Sequence, residues 1–221
     1  MPTTIKLRRD TAANWGSVNP VLAVGEPGWD TTNGVLKIGD GSTAWSSLRP
    51  ANFSDYESTQ LIEEVVLGSN QSSVTFSSIP QTFRHLELVI HAVGVSSAAA
   101  MNLRINADTG NNYDWQTMRG SASTTTSNES LAASSIQVGT MYSTGPCMTR
   151  VGISNYTASL EKVVLADSAT KSGTSTGNLR RETFAGFWRT ANPVTSLTVL
   201  GGSGLATGTV LSLYGRATVP L

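Results

Sequence analysis

Hydrophobic and polar residues alternate with a period of two along most of the chain beyond residue 60. Leu86, Leu88 and Ile90 interleave with Glu87, Val89 and His91, and Leu103 and Ile105 with Asn102 and Arg104. Val210, Ser212 and Tyr214 interleave with Leu211 and Leu213. Successive side chains of an extended chain point to opposite faces, so this pattern predicts half-buried β-strands. The predicted strands are Ile62–Leu67, Val74–Ile79, Leu86–Val95, Met101–Asn106, Ser135–Thr140, Arg150–Ser154, Glu161–Ala166, Thr183–Trp188, Ser196–Leu200 and Val210–Gly215. Turn clusters separate them at regular spacing, as in a β-sandwich of jelly-roll type. Ser121–Ser130 and Lys171–Asn178 are rich in Ser, Thr, Gly and Asn and read as long loops. Helix is expected only at Thr11–Val18 and Tyr56–Glu63.

Residues 1–50 have a different texture, with three of the five Trp and dense Gly and Pro punctuation. A strand from Thr3 to Arg9 places Ile5 and Leu7 on one face. Thr11 can cap a short helix that Asn19-Pro20 ends. Val21–Val24 reads as a second strand closed by a turn through Gly25-Glu26-Pro27-Gly28. Asn33-Gly34 is a hairpin turn leading into Val35–Ile38. Residues 51–60, which follow Pro50, read as a linker, and residues 61–221 as the sandwich. A module of about 50 residues with no disulfide or metal cluster buries too little surface to stand alone easily. It is therefore expected to complete its core by oligomerising. The residues expected in that shared core are Ile5, Leu7, Trp15, Leu22, Val35, Ile38 and Trp45.

Composition narrows the function. Fifteen Lys and Arg balance fifteen Asp and Glu, and only 14% of residues are charged, against roughly a quarter in an ordinary domain. No excess of cations is available to grip phosphate, so nucleic-acid binding is not expected. No apolar run is long enough to insert in a membrane. The start Met1-Pro2-Thr3-Thr4 has no signal-peptide pattern, which predicts synthesis in a cytoplasm. Ser and Thr together make up about a quarter of the chain. A neutral surface of hydroxyls suits a component packed beside copies of itself.

Candidate chemistry is sparse. His85 and His91 share a strand face but lie about 20 Å apart, too far to act together. Cys147 has no nucleophile context and reads as a small packing residue. No catalytic constellation, phosphate loop or cofactor motif occurs. Asn106, Asp108, Asn112 and Asp114, arranged around Gly110, form a weak Ca²⁺ candidate, although Asn/Asp/Gly is also ordinary turn chemistry. Tyr113, Trp115, Tyr142 and Tyr156 are candidate aromatics for stacking on host sugars.

The first segment carries an ordered motif set: Leu7-Arg8-Arg9-Asp10-Thr11, Trp15, Asn19-Pro20-Val21-Leu22, Gly25-Glu26-Pro27-Gly28 and Lys37-Ile38-Gly39-Asp40-Gly41-Ser42-Thr43-Ala44-Trp45. This set closely resembles the short module at the N-termini of tailed-bacteriophage fibre and appendage proteins. The resemblance implies a small trimeric β-prism in which three chains share one core. Asp10 stands where that family usually has Gly, and Trp29 where a smaller or aliphatic residue is common. Looser likenesses, at Ile79–Leu86, Asn111–Trp115 and Gly208–Gly215, are to β-sandwich domains of phage structural proteins.

The function these readings imply is a non-enzymatic virion protein, a homotrimeric fibre or knob. Its N-terminal module would dock on other virion proteins of the capsid or tail. Its sandwich would meet the host surface, with glycan as one form of receptor. The alternative is a capsid decoration or cement protein clamping capsomers at local threefold positions. A glycan-degrading enzyme is the least supported reading, because scattered acids do not reveal a carboxylate pair.

Overall fold

The computed structural model describes residues 7–51, 59–96, 98–172 and 179–216. The chain is all-β apart from one short helix among the described residues, and it divides into two compact units between residues 57 and 58.

In the first unit, β1 (Arg8–Asp10) runs parallel to β2 (Pro27–Asp30), which forms an antiparallel hairpin with β3 (Val35–Ile38). The helix α1 (Ala12–Val18) starts at Thr11, whose side chain accepts the Asn14 amide hydrogen at 3.3 Å. It ends at Asn19, in the left-handed conformation that Asn tolerates (φ 42°). Asp30 closes the β2–β3 turn by accepting the amide hydrogens of Thr32 and Asn33, and Gly34 takes the positive φ of 66°. Trp15, Leu22, Trp45 and Leu48 form the core of this unit. Ile5 lies outside the described residues.

Two expectations here are corrected. Val21–Val24 is not a strand; only Val21 makes a bridge, to Ala44. Pro27-Gly28 is strand rather than turn, because Gly28 lies directly under the core rings. A Cβ on it would come within 2.7 Å of Trp45 and 3.0 Å of Leu22.

The second unit is a sandwich of two antiparallel sheets. The smaller has the order β10 (Ile136–Met141), β7 (Ala99–Ile105), β14 (Leu197–Leu205), β5 (Gln71–Phe76). The larger has the order β4 (Gln60–Val66), β15 (Val210–Arg216), β6 (His85–Ala92), β11 (Cys147–Ser154), β12 (Lys162–Lys171), β13 (Leu179–Trp188), β8 (Tyr113–Ser121), β9 (Thr124–Ala133). These twelve strands exceed the eight of a two-Greek-key jelly roll. One continuous core joins the sheets, including Leu86, Leu88 and Ile90 from the larger and Met101, Leu103 and Ile105 from the smaller. The edge strand β10 packs across β11, β12 and β13. Gly186 of β13 permits that approach, since a Cβ there would lie 2.7 Å from Ile136.

All ten predicted strands of this unit are found within a few residues of their expected limits. Two further strands, β8 and β9, were not expected. The segment Ser121–Ser130, expected as a loop, is the end of β8, a tight turn and most of β9. The helix expected at Tyr56–Glu63 is also corrected: Gln60–Glu63 belong to β4. Of Lys171–Asn178, Lys171 ends β12 and residues 173–178 lie outside the described residues.

Candidate functional site

The motif residues of the first unit are occupied in building it. Trp15 and Trp45 stack with ring centroids 3.9 Å apart and planes 13° from parallel. The Trp15 indole N–H donates to the Trp29 carbonyl at 3.0 Å. Lys37 lays its ammonium 4.8 Å above the Trp45 ring and donates to the Trp45 carbonyl at 2.7 Å. Arg8 sits 5.2 Å from the Trp15 ring and pairs with Glu26 at 3.0 Å. Glu26 also accepts the Ala23 amide hydrogen at 2.8 Å, and these bonds hold its carboxyl below the usual range. Asp40 accepts the hydroxyl of Thr43 and the amide hydrogens of Thr43 and Ser42, which holds its carboxyl far below the usual range. Gly39 leaves no room for a side chain; a Cβ would meet the Ala23 carbonyl oxygen at 2.2 Å.

Three of the residues expected in a shared core, Trp15, Leu22 and Trp45, are therefore buried within one chain. The stacked Trp pair gives them an interior that does not wait on a partner chain. Val35 is half-buried, whereas Leu7 and Ile38 are 48% and 41% exposed. Val18, Val21, Val24 and Trp29 are exposed as well. Asp10, where the resembling family has Gly, accepts the Thr11 amide hydrogen and an Asn14 side-chain hydrogen.

Of the four residues weighed for Ca²⁺, Asn106, Asp108 and Asp114 have side-chain oxygens engaged by protein donors. Asp108 accepts from the Trp188 indole at 2.8 Å, Asn112 at 2.9 Å and the Gly110 amide at 2.8 Å, and these bonds lower its pKa. Asn106 accepts the amide hydrogens of Thr195 and Ser196. Asp114 accepts that of Ala132 and pairs with Arg189 at 3.3 Å. The arrangement ties the loop after β7 to Trp188 and to the strand ends beside it.

Two of the aromatic candidates are corrected. Tyr113 and Tyr156 are fully buried, so neither ring has a face open to a sugar. The Tyr113 hydroxyl accepts the Ile105 amide hydrogen at 3.1 Å, and burial pushes its pKa up to about 12. Tyr156 donates to the Pro80 carbonyl. Trp115 and Tyr142 are half-buried; Trp115 packs against the core, and the Arg180 guanidinium lies 5.4 Å from the Tyr142 ring.

Inside the sandwich, Glu182 is fully buried, accepts from Arg119 at 2.5 Å and from the Thr140 hydroxyl at 3.1 Å. Its second oxygen has no hydrogen-bond partner among the described residues, nor have the hydroxyls of Thr117 and Thr170.

The outer face of the larger sheet holds a groove of about 500 Å³. Adjacent strands bring its walls together by register: Arg216 of β15 pairs with His85 of β6, Glu87 with Gly152 of β11, and Gly152 with Leu165 of β12. Gly152 forms the open floor. An added Cβ would meet only one atom, at 4.0 Å. Glu87 is nearly buried, and each of its oxygens is held by a different arginine, one by Arg150 and the other by Arg216 at 3.2 Å. The side chains of Arg150 and Arg216 remain 66% and 48% exposed. Each donates to Glu87 through one nitrogen, and a guanidinium carries five N–H groups, so each fork has donors beyond the one used there. Burial and the neighbouring Arg84 and Arg216 lower the pKa of His85, whose Nδ1 accepts the Asn155 amide hydrogen at 3.3 Å. A second depression of about 270 Å³ adjoins the first and shares Arg150 and Asp167 with it. Asp167 pairs with Arg181 on β13 at 3.3 Å.

Sequence reasoning missed this groove. The available signal was a charged residue at an outward position on each of several strands, Glu87, Arg150, Asp167 and Arg181, in a chain with few charges. Which strands stand side by side is not written in that pattern.

Among the described residues, no helix is long and apolar enough to cross a membrane. No curated protein and no solved structure matches the chain. Residues 5–43, under a fifth of the chain and all within the first unit, match the family model described as the major tropism determinant N-terminal domain, and this likeness points to a phage tropism or fibre protein.

Proposed function

We propose that the chain is a non-enzymatic structural component of a phage virion that helps set host tropism. The first unit trimerises and docks on the particle, and the sandwich faces outward to contact the host surface. The likeness of residues 5–43 to a tropism-determinant domain carries this reading. The surface of that unit supports its self-association. Leu7, Val18, Val21, Val24, Trp29 and Ile38 are all exposed on a unit whose own core holds four side chains. That much apolar surface on so small a body favours burial against copies of itself.

Sedimentation of the full chain tests the assembly: a single species at three times the 23.2 kDa chain mass is expected. Replacing Val24 and Ile38 with Asp should release monomers. Immunogold labelling of the virion tests the placement and is expected to mark outward appendages. A monomer at all concentrations, or label spread evenly over the capsid, overturns the reading.

A further inference from the structure

We propose that the outer-face trough of the larger sheet is a subsite for an acidic saccharide, a sugar chain bearing carboxylates. The inference rests on the reading that the sandwich meets the host surface, and it names the chemistry of that contact.

Charge supplies the first argument. The chain as a whole is neutral. At the trough, however, three guanidinium groups, those of Arg150, Arg181 and Arg216, stand against the two carboxylates of Glu87 and Asp167. Glu87 does not quench its two arginines, since each uses one nitrogen on it and keeps the rest of its fork. A planar fork with free parallel N–H groups matches a carboxylate in two-point contact.

Acceptors supply the second. Asp167 lines both depressions with a side chain 61% exposed. A carboxylate there repels a ligand of pure acceptors such as a phosphate cluster. It suits a ligand that also offers hydroxyl donors. A carboxylated sugar presents both, with its acid group to an arginine and its hydroxyls to Asp167 and Ser154.

Shape supplies the third. Gly152 leaves a floor on which a ring can lie flat, and Leu165, 59% exposed, offers an aliphatic contact beside it. The two depressions meet at Arg150 and Asp167, so the trough spans more than one residue of a chain ligand. Its volume falls in the range of small-molecule sites, roughly 300–1,000 Å³.

The test measures binding of the full-length protein to a galacturonate tetramer by calorimetry. A neutral galactose tetramer and a glutamate tetrapeptide serve as comparators. The galacturonate tetramer is expected to bind, with affinity falling as salt rises, and to exceed both comparators at least tenfold. Arg150→Gln is expected to weaken it at least tenfold. Leu165→Glu keeps the Glu87 pairs intact and should do the same with unchanged melting. No binding of the galacturonate, equal binding of the peptide, or full binding by a folded Leu165→Glu protein overturns the proposal. Adsorption to host cells separates this inference from the functional reading. If wild type adsorbs and Leu165→Glu adsorbs equally, the trough is overturned and the tropism reading stands. If wild type binds galacturonate but no host cell adsorbs it, the subsite stands and the tropism reading falls.

Discussion

Replacing Trp45 with Ala should unfold the first unit while leaving the sandwich folded. The indole is 5% exposed and forms one side of a stacked pair in a core of four residues. A buried aromatic of this kind covers roughly 150–250 Å². At about 25 cal/mol per Å² its burial contributes about 4–6 kcal/mol as an upper limit. Tryptophan-to-alanine changes in cores cost roughly 3–5 kcal/mol, and the Lys37 contact adds about 0.5–1 kcal/mol. At about 0.05–0.15 kcal/mol per residue, a unit of some fifty residues holds only about 2.5–7.5 kcal/mol. The loss is therefore comparable to the whole stability of the unit. Near-ultraviolet circular dichroism should lose the signal of the stacked Trp pair, and trypsin should cut after Lys37. The sandwich has its own core and should melt as in wild type. A variant that resists cleavage after Lys37, with a first-unit transition within a few degrees of wild type, refutes this account of the stack.

Three further outcomes are expected. The Asp40 carboxyl titrates lower in the folded unit than in the unfolded chain, so its stabilising effect is complete above its unfolded pKa, about 4, and is lost as pH falls. Melting of the first unit between pH 7 and 3 should show that fall, and Asp40→Asn should flatten it. Burial pushes the Cys147 thiol up to about 11, so a disulfide reagent at pH 8 should label the native protein far more slowly than the denatured one. Glu182→Leu strands Arg119 and should destabilise the sandwich toward the lower end of roughly 3–5 kcal/mol, because a third of the Arg119 side chain reaches water; the denaturant midpoint reads it.

The strands legible in the sequence are those buried on one face only. Leu86, Leu88 and Ile90 had to alternate because β6 lies over the smaller sheet. In β9, Thr124–Ser130 contains no apolar side chain and almost every position is exposed, so no period of two could show. Its strand character comes from pairing with β8. In the first unit the turn residues Asn19, Gly34, Asp40 and Gly41 were readable because each meets a local backbone demand. The burial of Trp15 against Trp45 was not, since it joins residues thirty positions apart. The trough was the least legible feature. Its arginines belong to β11, β13 and β15, and only the strand order makes them neighbours.

The edge strand β9 has a consequence for how this surface can change. Its side chains from Thr124 to Ser130 support no core, so exchanging them removes almost no buried apolar area. What holds the strand is its backbone ladder to β8, which does not depend on side-chain identity. Proline is the chief substitution that would break the ladder. A lineage under selection could therefore rewrite these seven positions, and with them a hydroxyl-coated stretch of the sandwich surface, at little cost to folding. The positions free to vary and the positions that hold the sandwich together are thus separate sets of residues.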